Sequence, residues 1–87
     1  MKIRATKNFL RRSHKLLKRD PQLKKHLRRT LEKLQENPFN PELKTHKLSG
    51  SLKEFWSCSV TYQIRIRFKI VDDIIELIDT GKHDEVY

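Results

Sequence analysis

Hydrophobic positions repeat with a helical period in the first part of the chain and with a period of two near its end. Leu23, Leu27, Leu31 and Leu34 are spaced four, four and three apart. That spacing draws one stripe down a helix and predicts it over about 21–36. Lys24, Lys25, Arg28 and Arg29 fall off the stripe and face water. Upstream, Phe9, Leu10, Leu16 and Leu17, with Ser13 between them, predict a first helix over about 7–18. Thr6 is its expected N-cap. Asp20-Pro21 reads as the start of the second helix, with Asp20 as N-cap and Pro21 at the first helical position. Asn37-Pro38 stops it.

Residues 2–5 read as a short strand, and 37–50, with Pro38, Pro41 and Gly50, as a loop. Leu52 to Val60 reads as a strand. Ile64-Arg65-Ile66-Arg67-Phe68-Lys69-Ile70 alternates almost without fault and predicts another. Asp72-Asp73 is the turn into a third, Ile74 to Asp79, which Thr80-Gly81 should break. The order is β-α-α-β-β-β, with room for a short terminal strand. This is an α+β domain, residues 1–87, with a helical hairpin packed on one face of a small, mainly antiparallel sheet.

The alternation has a chemical corollary. If Ile64, Ile66, Phe68 and Ile70 face the helices, Arg65, Arg67 and Lys69 face away. Those cations line an anion site or cover an ordinary solvated face, and the pattern alone leaves both open.

Charge narrows the partners. The 87-residue chain carries a formal net charge of +9 and a sequence pI near 10.0, which favours an anionic partner. The surplus is N-terminal. Residues 1–53 hold 16 Lys and Arg against 4 Asp and Glu, while residues 54–87 hold 4 against 7. The single cysteine, Cys58, excludes an intrachain disulfide and a CxxC site, and reads as a small buried apolar residue. Residues 1–7 lack the apolar run of a signal peptide, and no stretch has the length of a membrane span. The expected location is the cytoplasm, with no membrane partner.

Two histidines are candidates for chemistry. Histidine ordinarily titrates near pH 6.5 and so serves as acid or base. His46 lies in the loop before Leu48-Ser49-Gly50, and His83 follows the last strand; each is a catalytic candidate or a surface residue. His14 and His26 sit among helix cations and read as solvated. Trp56, Tyr62 and Tyr87 could stack on bases; Trp56 and Tyr62 read first as sheet core or rim, while Tyr87, the final residue, suits a contact role better. No histidine pair has zinc-motif spacing, no glycine-rich phosphate loop is present, and Ser49 and Ser51 lack a nucleophile elbow. No metal or other cofactor is expected.

The segments His46-Lys47-Leu48-Ser49-Gly50-Ser51-Leu52, Trp56 to Ile66, and Gly81-Lys82-His83-Asp84-Glu85-Val86-Tyr87 resemble the RelE/ParE superfamily of bacterial type II toxins. The resemblance is strongest to its RelE/YoeB/YafQ-like mRNA interferases and covers nearly the whole chain. It implies cleavage of mRNA in the ribosomal A site without metal, leaving a 2′,3′-cyclic phosphate and a 5′-hydroxyl. It implies the ribosome, mRNA and a cognate antitoxin as partners, the last in a hetero-oligomer. By position, it implies His46 as base or orienting group, Arg65 as phosphate stabiliser, His83 as general acid and Tyr87 as the aromatic that holds the substrate. Lys24, Lys25, Arg28, Arg29, Arg67 and Lys69 would then grip RNA backbone. The sequence departs from relatives at Ser59, Gln63, Ile64 and Asp79, where some carry a histidine, an acid, an aromatic and a base. Two other functions stay open: a ParE-like toxin that binds DNA gyrase, and an RNA- or ribosome-binding domain without catalysis.

Overall fold

The computed structural model describes residues 1–86. Its first strand, β1 (Lys2–Ala5), leads through Thr6 into helix α1 (Lys7–Arg19). The Thr6 hydroxyl oxygen accepts from the Phe9 amide at 3.2 Å, the expected N-cap. Helix α2 (Leu23–Glu36) begins two residues later than Asp20-Pro21 suggested. Residues 21 and 22 form a turn, with the Leu23 amide bonded to the Asp20 carbonyl at 3.0 Å. Leu23 and Leu34 are buried, and Leu27 and Leu31 pack partly covered against the core. Leu10, expected on the apolar face of α1, is instead 56% exposed, because it lies about 100° round the helix from Phe9.

The loop after α2 holds more structure than its prolines suggested. It contains a 3-10 turn (Pro41–Leu43) and a two-residue strand, β2 (His46–Lys47). Another 3-10 turn (Gly50–Leu52) follows, with Gly50 at φ +66°, a left-handed conformation that suits glycine. The strand expected from Leu52 is consequently shorter, β3 (Trp56–Ser59). The other two are β4 (Ile64–Val71) and β5 (Ile74–Lys82), and a short helix, α3 (His83–Val86), replaces the optional terminal strand.

The sheet runs β1-β5-β4-β3-β2, with β1 parallel to β5 and the other neighbours antiparallel. Phe9, Leu34, Leu43, Cys58, Ile66, Phe68, Ile75 and Leu77 form the core between helices and sheet. Full burial of a side chain of this class stabilises by roughly 1.5–3 kcal/mol. The alternation of β4 holds: Ile66 and Phe68 are fully buried, while Arg65, Arg67 and Lys69 stand on the other face, partly exposed.

Thr80-Gly81 does not break β5. The strand absorbs an irregularity instead. Phe68 pairs with Leu77, but Arg67 pairs with Asp79, so Ile78 is the extra residue of a bulge. The Ile78 carbonyl accepts from Asn8 Nδ2 at 2.9 Å and from the Thr6 hydroxyl at 3.2 Å. Both donors come from the start of α1, where the pairing of β1 ends. The bulge shifts the phase of β5 by one residue. Asp79 therefore lies on the arginine face, Thr80 returns to the core, and Gly81 pairs with Arg65.

Candidate active site

Cross-strand pairs share a face, so the register fixes what stands beside Arg65. Ser59, Arg65 and Gly81 form one row; His46, Ser57, Arg67 and Asp79 form the next. A pocket of about 360 Å³ opens on the first row, lined by Lys44, Ser59, Tyr62, Arg65 and His83. The fold thus brings Arg65 and His83 together from strand β4 and the first residue of α3. His46 does not line this pocket. It is exposed on edge strand β2, in the adjoining row, with its Nδ1 3.3 Å from the Lys44 carbonyl oxygen. Tyr87 lies outside the described residues.

Arg65 is anchored through its backbone. Its carbonyl accepts from the Thr80 hydroxyl at 2.8 Å, which ties the backbone to β5. Its Nε is buried and meets no hydrogen-bond acceptor among the described residues. A buried donor left unpaired costs about 1–3 kcal/mol, a cost that an arriving anion would offset.

The Nε of Arg67 is buried and unpartnered in the same way among the described residues, but its other nitrogens are occupied. Its Nη1 donates to the Val86 carbonyl at 3.3 Å, its Nη2 lies 4.0 Å from Asp79, and its guanidinium stacks 5.0 Å from the Phe55 ring. Val86 is fully buried, so this contact anchors the short helix that carries His83. Lys69 stands 5.3 Å above the same ring and 4.0 Å from Glu54. Lys24, Lys25, Arg28 and Arg29 are exposed on α2, which covers the opposite face of the sheet, and none of them lines the pocket.

One pocket residue, Lys44, escaped the sequence reading, and another, Tyr62, was read with the weight on the wrong role. Lys44 follows the Pro41–Leu43 turn at φ +51°, an uncommon left-handed backbone for a lysine. Its place in a loop gave no sign of this. Tyr62 was expected to pack in the sheet or at its rim, yet it is 96% exposed in the β3–β4 turn. Trp56, by contrast, packs at the rim, edge-on to Phe39 with centroids 5.0 Å apart. Cys58 faces the core, where burial pushes its thiol up to about 12, against a smaller opposing pull from Arg65. At neutral pH it is a protonated packing group with no nucleophilic role.

The family model for the bacterial toxin YafQ of type II toxin–antitoxin systems matches residues 1–87. The chain belongs to the YafQ toxin family. Solved structures agree with that membership. A metal-bound toxin from Helicobacter pylori has a TM-score of 0.82 at 28% identity, covering 100% of this chain and 99% of its own. YafQ from E. coli strain BL21(DE3) has the same fold, with a TM-score of 0.82 at 21% identity over 98% of this chain and 96% of that one. The YoeB–YefM toxin–antitoxin heterotetramer from Staphylococcus aureus gives 0.76 at 18% identity, covering 95% and 97%. No curated protein matched. As a member of the YafQ family, the chain is a type II toxin whose strongest sequence signals, Arg65 and His83, meet in one pocket. No helix among the described residues is long and apolar enough to cross a membrane.

Proposed function

We propose that this YafQ-family toxin is a ribosome-dependent mRNA endoribonuclease that works by side-chain acid–base chemistry. The observation that carries the reading is the pairing of Arg65 and His83 in one pocket, with Lys44 as a second cation. A ribose 2′-hydroxyl attacks the adjacent phosphorus as a base removes its proton. The 5′-oxygen leaves with a proton from an acid, giving a 2′,3′-cyclic phosphate and a 5′-hydroxyl. His83 is the proposed acid and His46 the base or the group that orients it. Arg65 stabilises the charge that builds on the phosphoryl oxygens, aided by Lys44. Tyr87 is proposed to hold the substrate. Tyr62, nearly free of protein contact, offers a second stacking surface, a role worth about 1–3 kcal/mol per base.

The pocket volume of about 360 Å³ sits at the low end of ordinary ligand sites, which suits one phosphodiester and its flanking sugar. Arg67 and Lys69 flank the site along β4. The α2 cations Lys24, Lys25, Arg28 and Arg29 would contact ribosomal RNA from the far side, without sequence preference. An antitoxin would cover the basic surface and the His83 region, as a hetero-oligomer in the cytoplasm.

End analysis of the cleaved RNA tests the chemistry. Cyclic phosphate and 5′-hydroxyl ends support it. A 5′-phosphate end would overturn it. Intact mRNA beside lost gyrase supercoiling would point to a toxin acting by protein binding.

A further inference from the structure

The strongest unassigned feature is a groove along α1 that meets the C-terminal motif only at Lys82. It measures about 400 Å³ and is lined by Arg11, Arg12, Lys15, Leu16, Arg19 and Lys82. Five of these six residues are cations. Arg11, Lys15 and Arg19 recur every fourth residue, so they form one stripe on α1 that spans about 12 Å along the axis.

The groove arises from the topology. Strand β1 pairs with β5 only as far as Leu77, and α1 then takes the place beside the remainder of β5. Arg12 comes within 3.8 Å of Asp79, which pins the helix to the bulged strand. The α1 stripe is thereby laid against Lys82, the residue immediately before His83. The groove therefore reaches the chain one residue before His83, which lines the pocket that holds Arg65.

We propose that this groove is the track for the RNA strand being cut, holding its phosphates beside the pocket. The inference rests on the endoribonuclease reading and names the surface that feeds its site. The lining favours nucleic acid over a protein segment. A docking amphipathic helix needs an apolar seat, and here only Leu16 supplies one. The groove between β1 and α2 differs, since it presents Ile3, Leu27 and Leu31. A phosphodiester strand needs spaced cations and little apolar surface, which the α1 groove provides.

The test is equilibrium binding of the full chain to a short, mixed-sequence 2′-O-methyl RNA, titrated over salt concentration. This probe lacks the attacking hydroxyl and stays intact. The groove variant is Arg11→Gln/Lys15→Gln/Arg19→Gln, three exposed positions whose loss spares the core. A control removing the same charge elsewhere is Lys2→Gln/Lys33→Gln/Lys53→Gln. Each phosphate contact on a single strand contributes about 0.7 to the slope of log affinity against log salt, so the groove variant should lose about 2. The control should keep the wild-type slope. An unchanged slope in the groove variant, or an equal loss in the control, would overturn the proposal. Intact RNA binding with lost capture of the antitoxin would overturn it too, by assigning the groove to a protein. A wild-type chain that binds the probe through the groove yet cuts no RNA would retire the nuclease reading and, with it, the groove's role as the track of a cut strand, leaving an RNA-binding surface. A wild type that does not bind the probe would overturn the track itself.

Discussion

Replacing Arg65 with alanine should separate catalysis from folding. Its fold contribution is mostly main chain. Arg65 lies within the central strand β4, and its carbonyl, which accepts from Thr80, survives truncation. Its buried Nε has no acceptor among the described residues, so removing the side chain breaks none of their hydrogen bonds there and relieves an uncompensated donor. The melting temperature should therefore stay constant or rise. Catalysis should suffer in the opposite sense. Loss of one preorganised charge at a developing oxyanion lowers rates by about 10²–10³, or about 2.7–4 kcal/mol. Arg65→Lys should recover only part, because an ammonium keeps the charge but not the planar fork. The assay is single-turnover cleavage of a defined mRNA in a reconstituted translation reaction, with thermal unfolding measured on the same preparations. Cutting at the wild-type rate by a folded Arg65→Ala chain would refute the assignment. So would a collapse of the melting temperature with catalysis lost only in proportion to the folded fraction.

Other consequences follow from the same structure. Phe68 is fully buried at the centre of the core, so Phe68→Ala should cost about 3–5 kcal/mol. At about 4–8 °C per kcal/mol, its melting temperature should fall by more than about 12 °C, and a smaller drop would contradict the packing described. The Cys58 thiol, raised in the folded state to about 12, should resist alkylation at pH 8 until the chain unfolds. Because the unfolded thiol ionises first, its contribution to stability is full below about pH 9 and is lost as pH rises towards 12. Cys58→Ala should flatten that part of the melting-temperature profile; an identical profile would exclude the effect. Thr6→Ala removes the α1 cap and a hydroxyl bond to the Leu77 carbonyl, and should cost about 1 kcal/mol by chemical denaturation.

Fold class, helix order and the outward phase of Arg65 were legible because they depend on periodicity, which is local. The α2 leucine stripe and the β4 alternation each fix a buried face without knowledge of the partner element. The bulge at Ile78 was not legible. It depends on donors from Thr6 and Asn8, seventy residues away in sequence, and it is what carries β5 past Thr80-Gly81 and turns Asp79 towards Arg67. The start of α2 was misplaced because Asp20 serves the turn through its carbonyl and not as a side-chain cap. In the site, Arg65 and His83 were marked by alternation and motif. Lys44 and Tyr62 were not, because both lie in connecting segments whose course is set by tertiary contacts. The α1 groove was missed for a similar reason. Its cations seemed equivalent to those of α2 until the early end of β1 placed α1 alongside Lys82.

The most direct test of the central claim is primer extension on a defined mRNA in a reconstituted translation reaction, with and without ribosomes, comparing wild type with His83→Ala. Cuts in frame with the codons, dependent on ribosomes and reduced by about two orders of magnitude or more in the variant, are the expected result. Intact mRNA with the wild-type chain, or equal cutting by His83→Ala, would contradict it.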